Sequence, residues 1–279
     1  MSWFTRTFTY SIGKKILMAL TGLFLVSFLF VHLSGNLLLF SETGDAFNQY
    51  AYFMSTSPLI RVAEVILVAG FLGHILDGYK LAQENKKARP VGYSMAPKDR
   101  GSTWVSRNAV YTGSVVLIFL IVHLTSFWGE FKFGGGQDYA VDEAQYLKVE
   151  QTVQAPKDLK LPNGEVLVAQ GEAILQPGDQ VTAEKIEQLK LAGIETIKAS
   201  NLFIIVKDAF KQWWYAAFYI IAMVLLGLHL NHGVQSAFRT LGGNHPKYMP
   251  IIHGAGALIA ILVPLGFASF PLYFFFLSF

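Results

Sequence analysis

The chain has 279 residues, of which 53% are hydrophobic, 14% aromatic and only 15% charged, with a net charge of +3. A soluble domain carries about 25% charged residues, so this composition excludes an ordinary soluble fold, and no nucleic-acid partner is expected. Cysteine is absent, which excludes disulfides, thiolate ligands and iron–sulfur clusters held by this chain.

Five stretches reach the roughly 20 apolar residues needed to cross a bilayer: about 16–40, 59–79, 110–127, 214–233 and 251–276. Lys14 and Lys15 precede the first, as in a signal peptide. Its apolar run is too long for one, and no small-residue cleavage site follows, so it is expected to stay in the mature protein. The second stretch carries Arg61, Glu64, His74 and Asp77, and the third carries His123. Between the third and fourth lies a long polar segment, 129–213. Its Pro162-Asn163-Gly164 turn between Leu159 and Val168 reads as a β-hairpin. Val181–Ala192 reads as a short amphipathic helix, Gly193–Ile197 as a strand, and Phe203 onward as an interfacial helix ending at Trp213-Trp214-Tyr215. The expected architecture is an all-α integral membrane protein with five transmembrane helices in one bundle and a small β-containing outer insertion. The expected division is 1–128 for spans one to three, 129–213 for the outer cap and interfacial helix, and 214–279 for spans four and five.

Orientation follows from Lys and Arg in the short connecting segments. The N-terminus, the 80–107 loop and the 236–250 loop concentrate them, whereas 41–58 has none. The segment 129–213 carries nine basic and thirteen acidic residues, or −4, leaving +7 for the remainder. The N-terminus is therefore expected in the cytoplasm and the C-terminus outside, in a bacterial-type cytoplasmic membrane.

Four histidines within the apolar stretches form two matched pairs. Thr21-Gly22 is followed after nine residues by His32-Leu33, and Thr112-Gly113 after nine residues by His123-Leu124. His74 and His229 share a looser phrase, each with glycine four residues on (Gly78 and Gly233). An ionisable residue within a span is costly and is a functional-site hypothesis by default. Two pairs on four helices suit two haems, each iron held by two imidazoles.

At 1.5 Å per residue, His32 lies about 25 Å above Lys15 and His123 about 24 Å above Arg107, near the outer face. His74 lies about 9 Å from Lys80, His229 about 15 Å from Arg239 and His232 about 10 Å from it, near the inner face. His32 is therefore paired with His123, and His74 with a fourth-span histidine. Depth favours His232 and the shared glycine phrase favours His229; His229 is chosen, with His232 the alternative. Eleven residues at about 100° each bring Thr21 under His32 and Thr112 under His123, about 16 Å deeper. Thr21, Gly22, Thr112 and Gly113 are thus placed at the inner-haem level as haem-contact candidates. Small-residue helix packing is the competing reading.

Other polar residues offer further candidates. Arg61 and Glu64 share a face of the second span and are read as quinone-site candidates, or else as a self-compensating pair. Asp77 is expected to face water or a partner. Arg239, Lys14 and Ser11 are candidates for haem propionates or for lipid headgroups, and His245 and His253 receive no role.

The chain resembles the cytochrome b membrane subunits of succinate dehydrogenase and fumarate reductase, in their single-chain, five-span, two-haem form. The resemblance is carried by Ser11-Ile12-Gly13-Lys14-Lys15 leading to Leu20-Thr21-Gly22, by Val31-His32-Leu33 with Asn36, and by Gly44-Asp45-Ala46-Phe47-Asn48 through Phe53-Met54 to Pro58. It continues with His74 and Gly78, Trp104 at the entry to span three, His123, His229 with Gly233, and Leu241-Gly242. It covers about 1–128 and 214–279. The resemblance implies ligand pairing of the first span with the third and the second with the fourth, and selects His229. It also implies two haem b groups, a quinone (menaquinone rather than ubiquinone), and two partners, a flavoprotein subunit carrying FAD and an iron–sulfur subunit. Some relatives carry a Glu two residues before the fourth-span ligand; Gly227 stands there, so a proton route through that position does not carry over. The insertion 129–213 has no counterpart in the pattern. Two other classes compete. A transporter is expected to show broken helices and charged substrate ligands. A two-haem quinone cytochrome of another dehydrogenase would share the histidines.

Overall fold

The computed structural model of the protein describes residues 10–88, 104–160 and 164–276. It is an all-α membrane bundle with a small β insertion, and the chain crosses a membrane several times. Five helices are long and apolar enough to span: Ile12–Phe40, Pro58–Ala88, Ala109–Phe133, Trp213–Thr240 and Met249–Phe276. Hydrocarbon offers no partner to a free N–H or C=O, so an uninterrupted apolar run must satisfy its backbone internally, and the helix does this. The hydroxyls on these runs are satisfied the same way. Ser27, Ser34 and Ser114 each donate to a carbonyl three or four residues back, at 2.7–2.8 Å.

The chain forms two compact units. The first comprises residues 1–34, 61–120 and 213–279, and holds most of the five spans. Its closest backbone packing is between the fourth and fifth spans. Pro264 within the fifth span lacks an N–H, so the Ala260 carbonyl loses its helical partner. Gly227 of the fourth span lies against that carbonyl, and a Cβ there would come within 2.7 Å of it. No carboxylate-bearing side chain fits at position 227. The other spans keep their backbones farther apart and meet through side chains. Lys14 and Glu84 form an ion pair between the first and second spans.

The second unit comprises residues 35–60 and 121–212. It groups the loop after the first span with the insertion, where the sequence had divided the chain at 128 and 213. Asp45–Thr56, read from sequence as loop, is a helix. Among the described residues, the insertion builds seven short strands. β1 (Gln137–Ala140), β7 (Thr196–Ser200) and β2 (Lys148–Val149) form an antiparallel sheet with β7 central; β3 (Val153–Gln154) pairs with β6 (Ala173–Leu175), and β4 (Leu159–Lys160) with β5 (Val166–Val168). The β4–β5 register sets Leu159 opposite Val168; residues 161–163 of the expected turn lie outside the described residues. Strands this short hold because their apolar side chains share one core. Val149, Leu175, Val181, Leu189 and Ala199 are fully buried, and each large apolar side chain removed from water contributes about 1.5–3 kcal/mol. The cap helix runs Ala183–Ala192, with Thr182 accepting from the Lys185 N–H at its start. The strand expected from Gly193 begins only at Thr196. Gly193 (φ 74°) ends the helix, and the Ile194 N–H still bonds the Leu189 carbonyl. The interfacial helix is Leu202–Lys211, with Phe203, Val206 and Phe210 buried.

Candidate functional site

Within the first unit, His74 of the second span and His229 of the fourth face each other, ring centres 6.3 Å apart and planes at 83°. Each ring is seated by a Thr-Gly pair of another helix. Thr21 Oγ1 lies 3.3 Å from His74 Nδ1, and Thr112 Oγ1 lies 3.5 Å from His229 Nδ1. Both hydroxyls already donate backwards, Thr21 to the Leu17 carbonyl at 2.8 Å and Thr112 to the Ala109 carbonyl at 3.0 Å. Their oxygens therefore accept from the ring, which puts the proton on Nδ1 and leaves the Nε2 lone pair available. The backbones of Met18 and Ala109, three residues before each threonine, also bond His74 and His229 respectively.

The glycines explain the close approach. A Cβ on Gly22 would stand 3.3 Å from His74 Cε1, and one on Gly113 would stand 3.1 Å from His229 Cε1. Sequence reasoning read these small residues as haem-contact candidates; in the structure the His74 imidazole lies against Gly22 and the His229 imidazole against Gly113.

A metal–imidazole bond is about 2.0–2.1 Å, and the ring centre lies about 1.1 Å behind its nitrogen, so two imidazoles sharing one metal through Nε2 would have ring centres up to about 6.3 Å apart, a length that the separation of His74 and His229 matches. Among the described residues no group of three or more His, Cys, Asp or Glu converges. A pair of imidazoles could hold a haem iron, a group that would need no further ligand from the chain.

His232 lies three residues beyond His229 and interacts electrostatically with Arg239. Arg239 itself meets His253, Nη2 to Nε2 at 3.1 Å, a contact that no sequence pattern pointed to. Asp77, expected to face water or a partner, is instead buried, and its Oδ2 has no hydrogen-bond partner among the described residues. One helical turn from His74, it acts on that ring electrostatically. Arg61 and Glu64 pair with each other at 3.5 Å, with side chains 49% and 36% exposed.

The other two histidines fall in different units. His32, in the first, stacks on Phe28 (5.3 Å, 15°) and meets Phe267 of the fifth span at 5.5 Å. His123, in the second, stands edge-on to Phe127 at 5.2 Å. The helix changes character there, because Leu124–Gly129 is a π-turn. Such turns insert one residue per turn and re-aim side chains, and they cluster at functional sites. Neither the π-turn nor the role of Phe127 was legible in the sequence, since an apolar run with small residues reads equally well as regular helix.

Comparison with protein-family models, curated proteins and solved structures finds no match.

Proposed function

We propose that the chain is a two-haem cytochrome b that anchors succinate dehydrogenase or fumarate reductase to the membrane and passes electrons between a partner iron–sulfur subunit and a quinone. The observation that supports it best is the His74–His229 pair, whose ring centres are 6.3 Å apart. In this reading His74 and His229 hold the inner haem, and His32 and His123 the outer one, as their depths along the spans suggest. Haem iron supplies reversible one-electron transfer at a potential set by its ligands and surroundings. The chain's own part is to hold the ligands. Thr21 and Thr112 keep the Nδ1 protons of His74 and His229 and so present Nε2, while Gly22 and Gly113 let the rings lie against the neighbouring helix. The apolar spans would keep water from the bound irons. Arg61 and Glu64 are the candidate quinone-side pair.

A reduced-minus-oxidised spectrum with haem extraction on the purified complex tests the first half. Two low-spin b haems per chain are expected, and their absence defeats the reading. Identification of the co-purifying subunits tests the second half. A flavoprotein oxidising succinate supports it. A different dehydrogenase would leave the cytochrome and change its partner, the alternative that the histidines by themselves allow.

A further inference from the structure

Two sets of contacts hold the π-turn that follows His123 and the helical turn Glu130–Phe133 after it. In the first, Phe127 within the π-turn is buried and packs against both His123 (5.2 Å, 74°) and Phe210 (5.8 Å, 60°) of the interfacial helix. Phe210 is only 2% exposed, so it cannot move without displacing its neighbours. The interfacial helix is itself pinned at its start. Asn201 Oδ1 accepts from the Ile204 N–H at 3.1 Å and from Asn48 Nδ2 at 3.0 Å, and the Phe203 N–H donates to Asn48 Oδ1 at 3.1 Å. Asn48 is a buried amide on the helix after the first span. Phe203 covers Gly44, whose φ of 77° and missing Cβ make room for the ring.

In the second, Lys148 of β2 donates to the Phe131 carbonyl at 2.9 Å, four residues beyond Phe127, with its ammonium 4.6 Å from the Phe131 ring centre. Glu150 neutralises Lys148 at 2.8 Å, and the Ser200 hydroxyl of β7 donates to Glu150 at 2.6 Å. All three are at most partly exposed, so this charge-assisted chain is stronger than a surface pair.

We propose that Phe210 and Lys148 are positioning residues for the His123 imidazole, acting through Phe127 and the π-turn, and that this is what the 129–213 insertion contributes to the cytochrome. The inference rests on the reading of His123 as an iron ligand. Ring orientation about a metal–nitrogen bond is soft, so the neighbouring rings choose it; hydrogen-bonded outer partners typically change metal affinity 10–100-fold, and a packed ring is taken at the low end of that range.

The test is electron paramagnetic resonance and redox titration of the purified complex carrying Phe210→Ala, Phe210→Leu or Lys148→Met. The outer haem is identified as the one missing from His123→Ala. In Phe210→Ala the largest g value of that haem's signal should move and its retention should weaken about 10-fold, with the other haem unaltered. Phe210→Leu should restore most of the wild-type signal, and Lys148→Met should shift the same signal from outside the membrane. If Phe210→Ala fails to assemble, Lys148→Met decides the matter. Should Lys148→Met, and Phe210→Ala where it assembles, leave the outer signal as in wild type, or should all variants disturb both haems equally, the proposal is overturned while the two-haem reading stands. A wild-type complex lacking low-spin haem removes both.

Discussion

Replacing Gly113 by valine probes the seat of His229 directly. A Cβ there already stands 3.1 Å from His229 Cε1 and 3.5 Å from its Nδ1, closer than an ordinary carbon–carbon contact of about 3.5–4.0 Å. Alanine would displace the ring by a few tenths of an ångström, partly offset by its better helix propensity of about 1 kcal/mol. Valine adds two methyls about 1.5 Å farther out, so the imidazole must retreat by about 1 Å, whereas metal–ligand distances tolerate only about 0.2 Å. Overpacking of this size costs about 1–3 kcal/mol, or about 5- to 150-fold in retention of the inner haem. Gly22→Val should act on the same haem, and less severely, because its corresponding distance is 3.3 Å. Haem content and low-temperature difference spectra of the two purified variants provide the measurement. Full occupancy with an unaltered inner-haem spectrum in Gly113→Val would refute the argument, because the ring could not then be seated on that glycine.

His229→Ala should abolish the inner haem while His232→Ala retains it with a shifted potential, and pigment analysis giving the reverse would exchange their roles. Thr112→Val keeps the volume but removes the Nδ1 acceptor, so inner-haem affinity should fall about 10-fold; equal affinity by haem titration would reduce Thr112 to a packing residue. Glu64→Gln should leave both haems in place and slow quinone-linked turnover while dye-linked succinate oxidation persists, and unchanged quinone turnover would leave Arg61 and Glu64 a structural pair. In the cap, burial and then the Asp208 carboxylate push the Tyr139 phenol above its usual range. An unfolded tyrosine ionises at about 10, so this group's contribution to cap stability is whole below that pH and falls as pH rises beyond it. Denaturant melts of Tyr139→Phe should therefore decline less above pH 10 than wild type, and parallel declines would discount the group.

The five spans were legible in the chain because lipid leaves a long apolar run one way to satisfy its backbone, so composition alone dictates the helix. The Thr-Gly and histidine phrases were legible because a helix turns about 100° per residue, which converts spacing into depth and face without knowledge of the neighbours. The cap hairpin and its helix were legible from local turn and capping chemistry, though Gly193 cost the following strand three residues. Tertiary structure alone decided what depends on the other helix. It decided that Gly22 and Gly113 seat imidazoles, that Asp77 is buried, and that Gly227 answers a carbonyl freed by Pro264. It also decided that Phe210 packs on the π-turn while Lys148 bonds the helical turn after it. Each of these is a contact between residues far apart in the chain, set by packing against a partner surface that no local period records.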